Sequence, residues 1–212
     1  MRPFEEFLRR DIICPHCGLD HSVFGLATWC ADCGKNIFMT HVKAEFDVIK
    51  MMLNDSKRRE KELGARVAAK DIENALEDTV SIFEATLKIL VKRYLIEKGL
   101  PQDEIEKIFK KKIGNKFQNI TFVSDLTKEL TSEDLFKGIN KENIDTLGDI
   151  FQKRHPITHN LGIVDRKYLE RVRSEEIEGR DVRVTVEEVN QSISISITCL
   201  NSFHDRLFKE NA

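Results

Sequence analysis

The residues best equipped for chemistry stand together in Arg154-His155-Pro156-Ile157-Thr158-His159-Asn160-Leu161-Gly162, which holds an arginine, two of the six histidines and a proline. Arginine brings a permanent charge and a planar fork of donors suited to phosphate. Histidine takes or gives a proton near neutral pH. Those are the two functions that cleavage of RNA without a metal requires. One group accepts the 2′-hydroxyl proton, and another stabilises charge on the five-coordinate phosphorus. Singly, Arg154 reads as a surface ion-pairing residue and His159 as a histidine satisfied at a helix end; their clustering favours a functional site. Spacing adds a condition. On an ideal helix, residues five apart differ by about 140° around the axis, so Arg154 and His159 would diverge. A kink at Pro156, which lacks a backbone donor and crowds the preceding turn, re-aims the pair. A two-fold dimer with a shared cleft is the other solution.

A second group lies near the N-terminus, where four of the five cysteines fall within twenty residues. Cys14-Pro15-His16-Cys17-Gly18 is followed, after twelve intervening residues, by Cys30-Ala31-Asp32-Cys33-Gly34. Each pair turns two sulfurs toward one point, and the glycine after it permits the positive-φ turn that brings backbone N–H groups to a thiolate. Four soft ligands are what tetrahedral Zn²⁺ takes in a closed structural site. The odd count argues against a disulfide framework. A redox dithiol needs one pair rather than two in register, and a catalytic zinc needs an open position; an iron–sulfur centre is the other use of four thiolates. His16 and His21 are alternative ligands, though four sulfurs suffice. Val23, Phe24, Leu26 and Trp29 suit a short hairpin between the pairs, with Trp29 packed inside. The unit resembles a zinc ribbon over residues 10–38. In it, zinc supplies the folding energy that so short a segment cannot draw from a core.

Helices must position the Arg154 segment. Val42, Phe46, Ile49 and Leu53 recur at helical spacing, and a charged segment from Lys57 to Lys70 follows. Next comes a long stripe of Ile72, Leu76, Val80, Phe83, Leu87, Leu90 and Tyr94, widened by Ile82, Ile89 and Ile96. So broad a stripe predicts a central helix packed on more than one side. Gly64 kinks or separates the first two helices, and Gly99-Leu100-Pro101 ends the second. Residues 102–113 predict a short basic helix, and 115–139 predict loops with one or two short helices. Ile144, Leu147 and Phe151 mark a helix leading into Arg154. Near the C-terminus, Ser192-Ile193-Ser194-Ile195-Ser196-Ile197 alternates like a strand. However, Thr185 and Glu188 have capping-box spacing, and Val189, Ile193, Ile197, Leu200, His204 and Leu207 continue one helical face. The prediction is a helix over 185–208, reached through a loop or extended segment from Gly179 to Val184.

Arg154-x4-His159 followed by Asn160-x-Gly162, with the polar His155 directly after the arginine, resembles the R-x4-6-H motif of HEPN domains. Ile150-Phe151-Gln152-Lys153 before it and Gly162-Ile163-Val164-Asp165-Arg166-Lys167-Tyr168-Leu169 after it agree, as do the helices on either side, over residues 42–210. The resemblance implies a mainly α fold: a HEPN-like helical bundle over 39–212, following a small β zinc ribbon over 1–38. It implies a homodimer whose two motifs face one cleft, and a metal-independent endoribonuclease leaving a 2′,3′-cyclic phosphate and a 5′-hydroxyl. Arg154 would contact the scissile phosphate, His159 would be general base or acid, and His155 would orient the pair. The family's settings, phage defence, toxin–antitoxin pairs and RNA processing, imply RNA as substrate and an antitoxin or defence-system protein as partner. Family members that keep the bundle and only bind RNA, a nucleotide or a protein supply the alternative, a non-catalytic adaptor.

The chain has 212 residues, 41% of them apolar, enough for one good domain and a small appendage. Basic and acidic residues number 34 and 36, a balance that argues against a constitutive polyanion coat while allowing a local basic groove. That balance, with no helix-turn-helix pattern, makes a zinc-dependent DNA-binding regulator the weakest alternative. Few glycines and prolines exclude collagen-like and low-complexity classes. No apolar run spans a bilayer and the first residues lack a signal-peptide stretch, so the expectation is a cytoplasmic protein without membrane contact. Six basic residues (Lys57, Arg58, Arg59, Lys61, Arg66, Lys70) face two glutamates, and Lys107, Lys110, Lys111, Lys112 and Lys116 form a second cluster without an acid among them. Both read first as solvated helix faces and second as RNA tracks. Glu84, interrupting the long stripe, either flanks its helix or orients Arg154 across the bundle. Cys199 reads as a small buried apolar residue.

Overall fold

In the computed structural model of the protein, which describes residues 9–172 and 176–208, the chain is mainly helical with one two-stranded antiparallel sheet near the N-terminus. It forms two compact units, Met1–Val48 and Ile49–Ala212. Residues 1–8, the lead expected before the ribbon, lie outside the described residues. No described helix is long and apolar enough to cross a membrane.

In the first unit, β1 (Arg10–Ile13) and β2 (Asp20–Val23) pair with Arg10 opposite Val23 and Ile13 opposite Asp20. This hairpin brackets the first cysteine pair instead of lying between the two pairs, because the cysteine knuckle is itself the turn. The Cys14 N–H donates to the Leu19 carbonyl at 2.8 Å, and the Gly18 N–H to the Cys14 carbonyl at 3.0 Å. The second pair repeats the turn: Cys30 N–H donates to Lys35 at 2.8 Å and Gly34 N–H to Cys30 at 3.0 Å. Trp29 bridges Asn36 there as Ile13 pairs with Asp20. Gly18 and Gly34 carry the positive φ (78° and 69°) that each knuckle needs. Cys14, Cys30 and Ile37 make a small buried cluster with Ala27 and Cys33 against it. Trp29, expected inside, leaves 54% of its surface exposed. Beyond the second knuckle α1 (Phe38–Asn54) begins. It buries Phe38, Val42 and Phe46 and accepts from Arg10 Nε through Glu45 at 2.5 Å.

The second unit is a helical bundle. After α2 (Ser56–Leu63), Gly64 at φ 94° turns the chain into α3 (Ala65–Glu97). At about 1.5 Å per residue, α3 is a rod of roughly 50 Å. Leu76, Val80, Phe83, Leu87 and Leu90 are buried along it as the stripe predicts, and Thr79, Thr86, Val91 and Leu95 widen the buried face, whereas Ile96 stays exposed. α4 (Gln102–Ile108) continues as a π-helical turn, Phe109–Ile113, and a 3₁₀ turn, Lys116–Gln118, follows. Where loops with short helices are expected, α5 (Ile120–Thr131) runs for three turns. The Asn119 side chain caps it, and Ile120, Val123, Leu126 and Thr127 are buried. Next come α6 (Lys141–Gln152), α7 (Arg154–His159), α8 (Arg166–Leu169) and α9 (Val186–Leu207).

The Ser-Ile run belongs to α9. Its capping box is complete, Thr185 accepting from the Glu188 N–H and Glu188 from the Thr185 N–H. Ser192, Ile193, Ser196, Cys199, Leu200 and Phe203 are all buried, so helical burial outweighs six alternating residues. After a turn at Gly179, Asp181 forms an isolated antiparallel bridge with Ile163, with Val164 N–H donating to the Arg180 carbonyl and Val182 N–H to that of Gly162.

Candidate functional site

The four N-terminal cysteines converge: their sulfurs all lie within 4.8 Å of one another. Cys14 and Cys33 Sγ are 3.8 Å apart, and Cys17 and Cys30 Sγ 3.5 Å. Four sulfurs at about 2.3 Å from a tetrahedral ion sit about 3.8 Å from each other, so the set fits one such metal. Burial opposes ionisation of Cys30, yet the N–H groups of Cys33 and Asp32 and the His21 ring outweigh it and bring its pKa down to about 6. Cys17 goes the other way. The Leu19 N–H favours its thiolate, but burial and the neighbouring sulfurs push its pKa up to about 12. Sulfurs this crowded do not ionise together without a cation among them. His21 Nε2 stands 3.2 Å from Cys30 Sγ, outside the four-sulfur set, so the imidazole flanks the sulfur cluster instead of joining it. His16 places its ring by the Asn36 carbonyl at 3.4 Å. Neither histidine replaces a cysteine.

Arg154, His155 and His159 all line one cleft of ≈ 160 Å³, together with Asn115, Gln118, Asn119, Phe151 and Gln152. Pro156 prepares this arrangement. It cannot donate to the carbonyl of Gln152, and its ring crowds that turn, so α6 stops at Gln152 and α7 starts afresh at Arg154. The short helix is then fixed from several sides. Pro156 and Ile157 are buried, and Thr158 Oγ1 donates to Glu77 of α3 at 3.1 Å. Phe151 packs edge-on against Phe83 of α3, centroids 5.3 Å apart at 85°. Lys153, at the junction, reaches the Glu188 carboxylate of the α9 capping box at 2.7 Å and Glu176 at 3.5 Å.

A relay across the bundle aims the arginine. Arg154 Nη1 donates to Gln118 Oε1 at 2.6 Å, and Gln118 Nε2 donates to Glu84 Oε2 at 2.5 Å. Glu84 is buried in α3 and also pairs with Lys88 at 2.6 Å. Of the two roles open to Glu84, orientation of Arg154 is the one its contacts fit, acting through Gln118. Arg154 Nε is buried and finds no acceptor among the described residues. His155 and His159, one turn apart, have ring centroids 5.2 Å apart. Burial first, then the neighbouring His159 charge, holds the His155 pKa below the usual histidine value, so this ring is neutral at pH 7. His159 itself is exposed.

Sequence reasoning missed Gln118 and the two asparagines of the cleft wall. Gln118 lies 34 residues from Glu84 and 36 from Arg154, with no spacing that ties them. The nearest local signal is Asn119, whose position before an apolar helical run marks a cap. Comparison with protein-family models, curated proteins and solved structures finds no match to the chain.

Proposed function

We propose that the protein is a metal-independent endoribonuclease of the HEPN type, acting as a homodimer, with an N-terminal ribbon held by structural Zn²⁺. The observation that carries the nuclease reading is the cleft: an arginine held by a buried carboxylate through Gln118, beside two histidines.

In the proposed reaction the scissile phosphate docks on Arg154, and His159 accepts the 2′-hydroxyl proton. O2′ attacks phosphorus while the P–O5′ bond breaks, giving a 2′,3′-cyclic phosphate and a 5′-hydroxyl. In-line attack puts entering and leaving oxygens on opposite sides of phosphorus, so a second proton carrier must serve O5′. A second copy of the same histidine, brought by a two-fold dimer, supplies it. Arg154 stabilises the extra charge on phosphorus. His155, neutral and one turn from His159, orients that ring. A role in phage defence or toxin-like growth control in the cytoplasm, with a neutralising or defence-system partner, follows from the motif resemblance.

Cys14, Cys17, Cys30 and Cys33 would hold the zinc. A closed set of four thiolates leaves no position for substrate water, so the metal's contribution is to the fold of the ribbon.

The test is incubation of the purified protein with mixed RNA, with and without EDTA, beside His159→Ala, with the new ends mapped. Expected are EDTA-resistant cleavage, cyclic-phosphate ends and loss of at least about a hundredfold in the variant. Cleavage equal in both proteins would sink the assignment; RNA binding without cleavage would favour the adaptor.

A further inference from the structure

The two basic clusters of the sequence differ in where their unpaired lysines lie. In the first, every arginine and Lys70 are engaged, while Lys57 and Lys61 stand exposed on α2 without an ion pair among the described residues. Arg58 pairs with Asp55 and Glu62, Arg59 with Asp71, and Arg66 and Lys70 with Glu73. In the second, two of the five are engaged, Lys107 by Asp103 at 3.2 Å and Lys112 by Glu129 at 2.5 Å. Lys110, Lys111 and Lys116 are exposed, and among the described residues their side chains have no hydrogen bond or ion pair.

Position makes the difference matter. Lys110 and Lys111 sit on the π-helical turn Phe109–Ile113, closed by Gly114 N–H donating to the Phe109 carbonyl at 3.0 Å. Gly114, at φ 49° and ψ −121°, then reverses the chain in a conformation open only to glycine. The residues immediately after it are Asn115, Lys116 and, on the same 3₁₀ turn, Gln118. Asn115 and Gln118 line the Arg154 cleft, so the unpaired lysines and the cleft wall are one short piece of chain. Buried Ile105, Ile113 and Phe117 anchor that piece, which leaves its lysines only the outer side. With a net charge of −2, general basicity does not explain unpaired lysines on the short stretch of chain that also supplies the wall of the Arg154 cleft.

We propose that Lys110, Lys111 and Lys116 form a phosphate track that carries a single-stranded polynucleotide to the cleft. The preferred substrate is then a strand with several phosphates beyond the scissile one, which the track holds and a dinucleotide cannot reach. This inference rests on the nuclease reading for what happens at the cleft, and its own content is the track. Phosphates are held by point charges there, so the track adds affinity without reading base sequence.

The experiment measures binding of a long single-stranded RNA against salt concentration, in the full chain carrying His159→Ala so that nothing is cut. Adding Lys110→Gln, Lys111→Gln and Lys116→Gln should lower the steepness of log affinity against log salt by about 2, at roughly 0.7 per phosphate contact on a single strand. Lys57→Gln with Lys61→Gln, two exposed lysines of α2, should leave the slope alone. Single-stranded DNA of the same length should lose as much as RNA. An unchanged slope, an equal loss in the α2 control, or a loss confined to RNA would overturn the track. With His159 restored, cleavage of a dinucleotide should survive the triple substitution while cleavage of long RNA falls. Equal loss on both would place the lysines at the scissile group and overturn the proposal. Should the wild type cut nothing, the nuclease reading fails, and the salt slope still decides the track.

Discussion

The cysteine ribbon and the Arg154 cleft are both built from a few side chains, but they are assembled over very different distances along the chain. All four sulfurs come from two identical turns in one twenty-residue segment, and each turn is completed by its own backbone bonds and its own glycine. The cleft takes Glu84 from α3, Gln118 from a 3₁₀ turn, and Arg154, His155 and His159 from a six-residue helix. A site closed by local geometry needs only a ligand to hold it together. A site closed across a bundle depends on the packing of every element that contributes.

The largest test of that contrast is metal removal. Chelation, or Cys17→Ser with Cys33→Ser, should unfold the ribbon, since structural zinc contributes on the order of 10 kcal/mol to such units. The helical unit should keep its thermal transition. Metal analysis of the native protein should find one zinc per chain; iron with sulfide, or joint unfolding of both units, would break the comparison.

Gln118→Leu should act on the other side. It leaves Arg154 and Glu84 without their shared partner, so RNA cleavage should fall roughly a hundredfold, in kcat more than in KM. It should also cost about 1–3 kcal/mol of stability for the stranded buried carboxylate. Gln118→Glu should unfold more readily still, because it faces Glu84 with a like charge. Cleavage unaffected by Gln118→Leu would show that the relay does not aim the arginine.

Smaller effects sharpen the picture. Thr185→Ala removes half of the capping box whose glutamate also holds Lys153, and should cost about 1 kcal/mol in urea unfolding, with zinc content unchanged. Acid should weaken the helical unit slightly through His155. Its folded pKa is depressed, so the unfolded chain takes up the proton first; this contribution is full above the unfolded value of about 6.5 and is lost as pH falls through the folded one. His155→Gln should flatten the acid dependence of stability, and a slope identical to wild type would remove His155 from the account.

Much of this was legible beforehand, and the legible parts share a cause. The four cysteines, the Thr185–Glu188 cap, the long stripe of α3 and the break at Gly64 are local or periodic, so spacing alone specifies them. Two expectations erred for local reasons. The hairpin was displaced because each knuckle serves as a turn, and α5 exceeded its expected length because Asn119 caps a buried apolar face.

By itself, then, the sequence determined that four thiols meet, that the body is helical, and that one arginine and two histidines occupy a single short segment around a proline. Only the tertiary structure decided that the three side chains share a cleft, that Glu84 reaches Arg154 through Gln118, and which lysines remain unpaired. Periodicity tells each helix which face to bury. Which residues meet across the bundle is set by how those faces pack, and that information is spread over the whole chain.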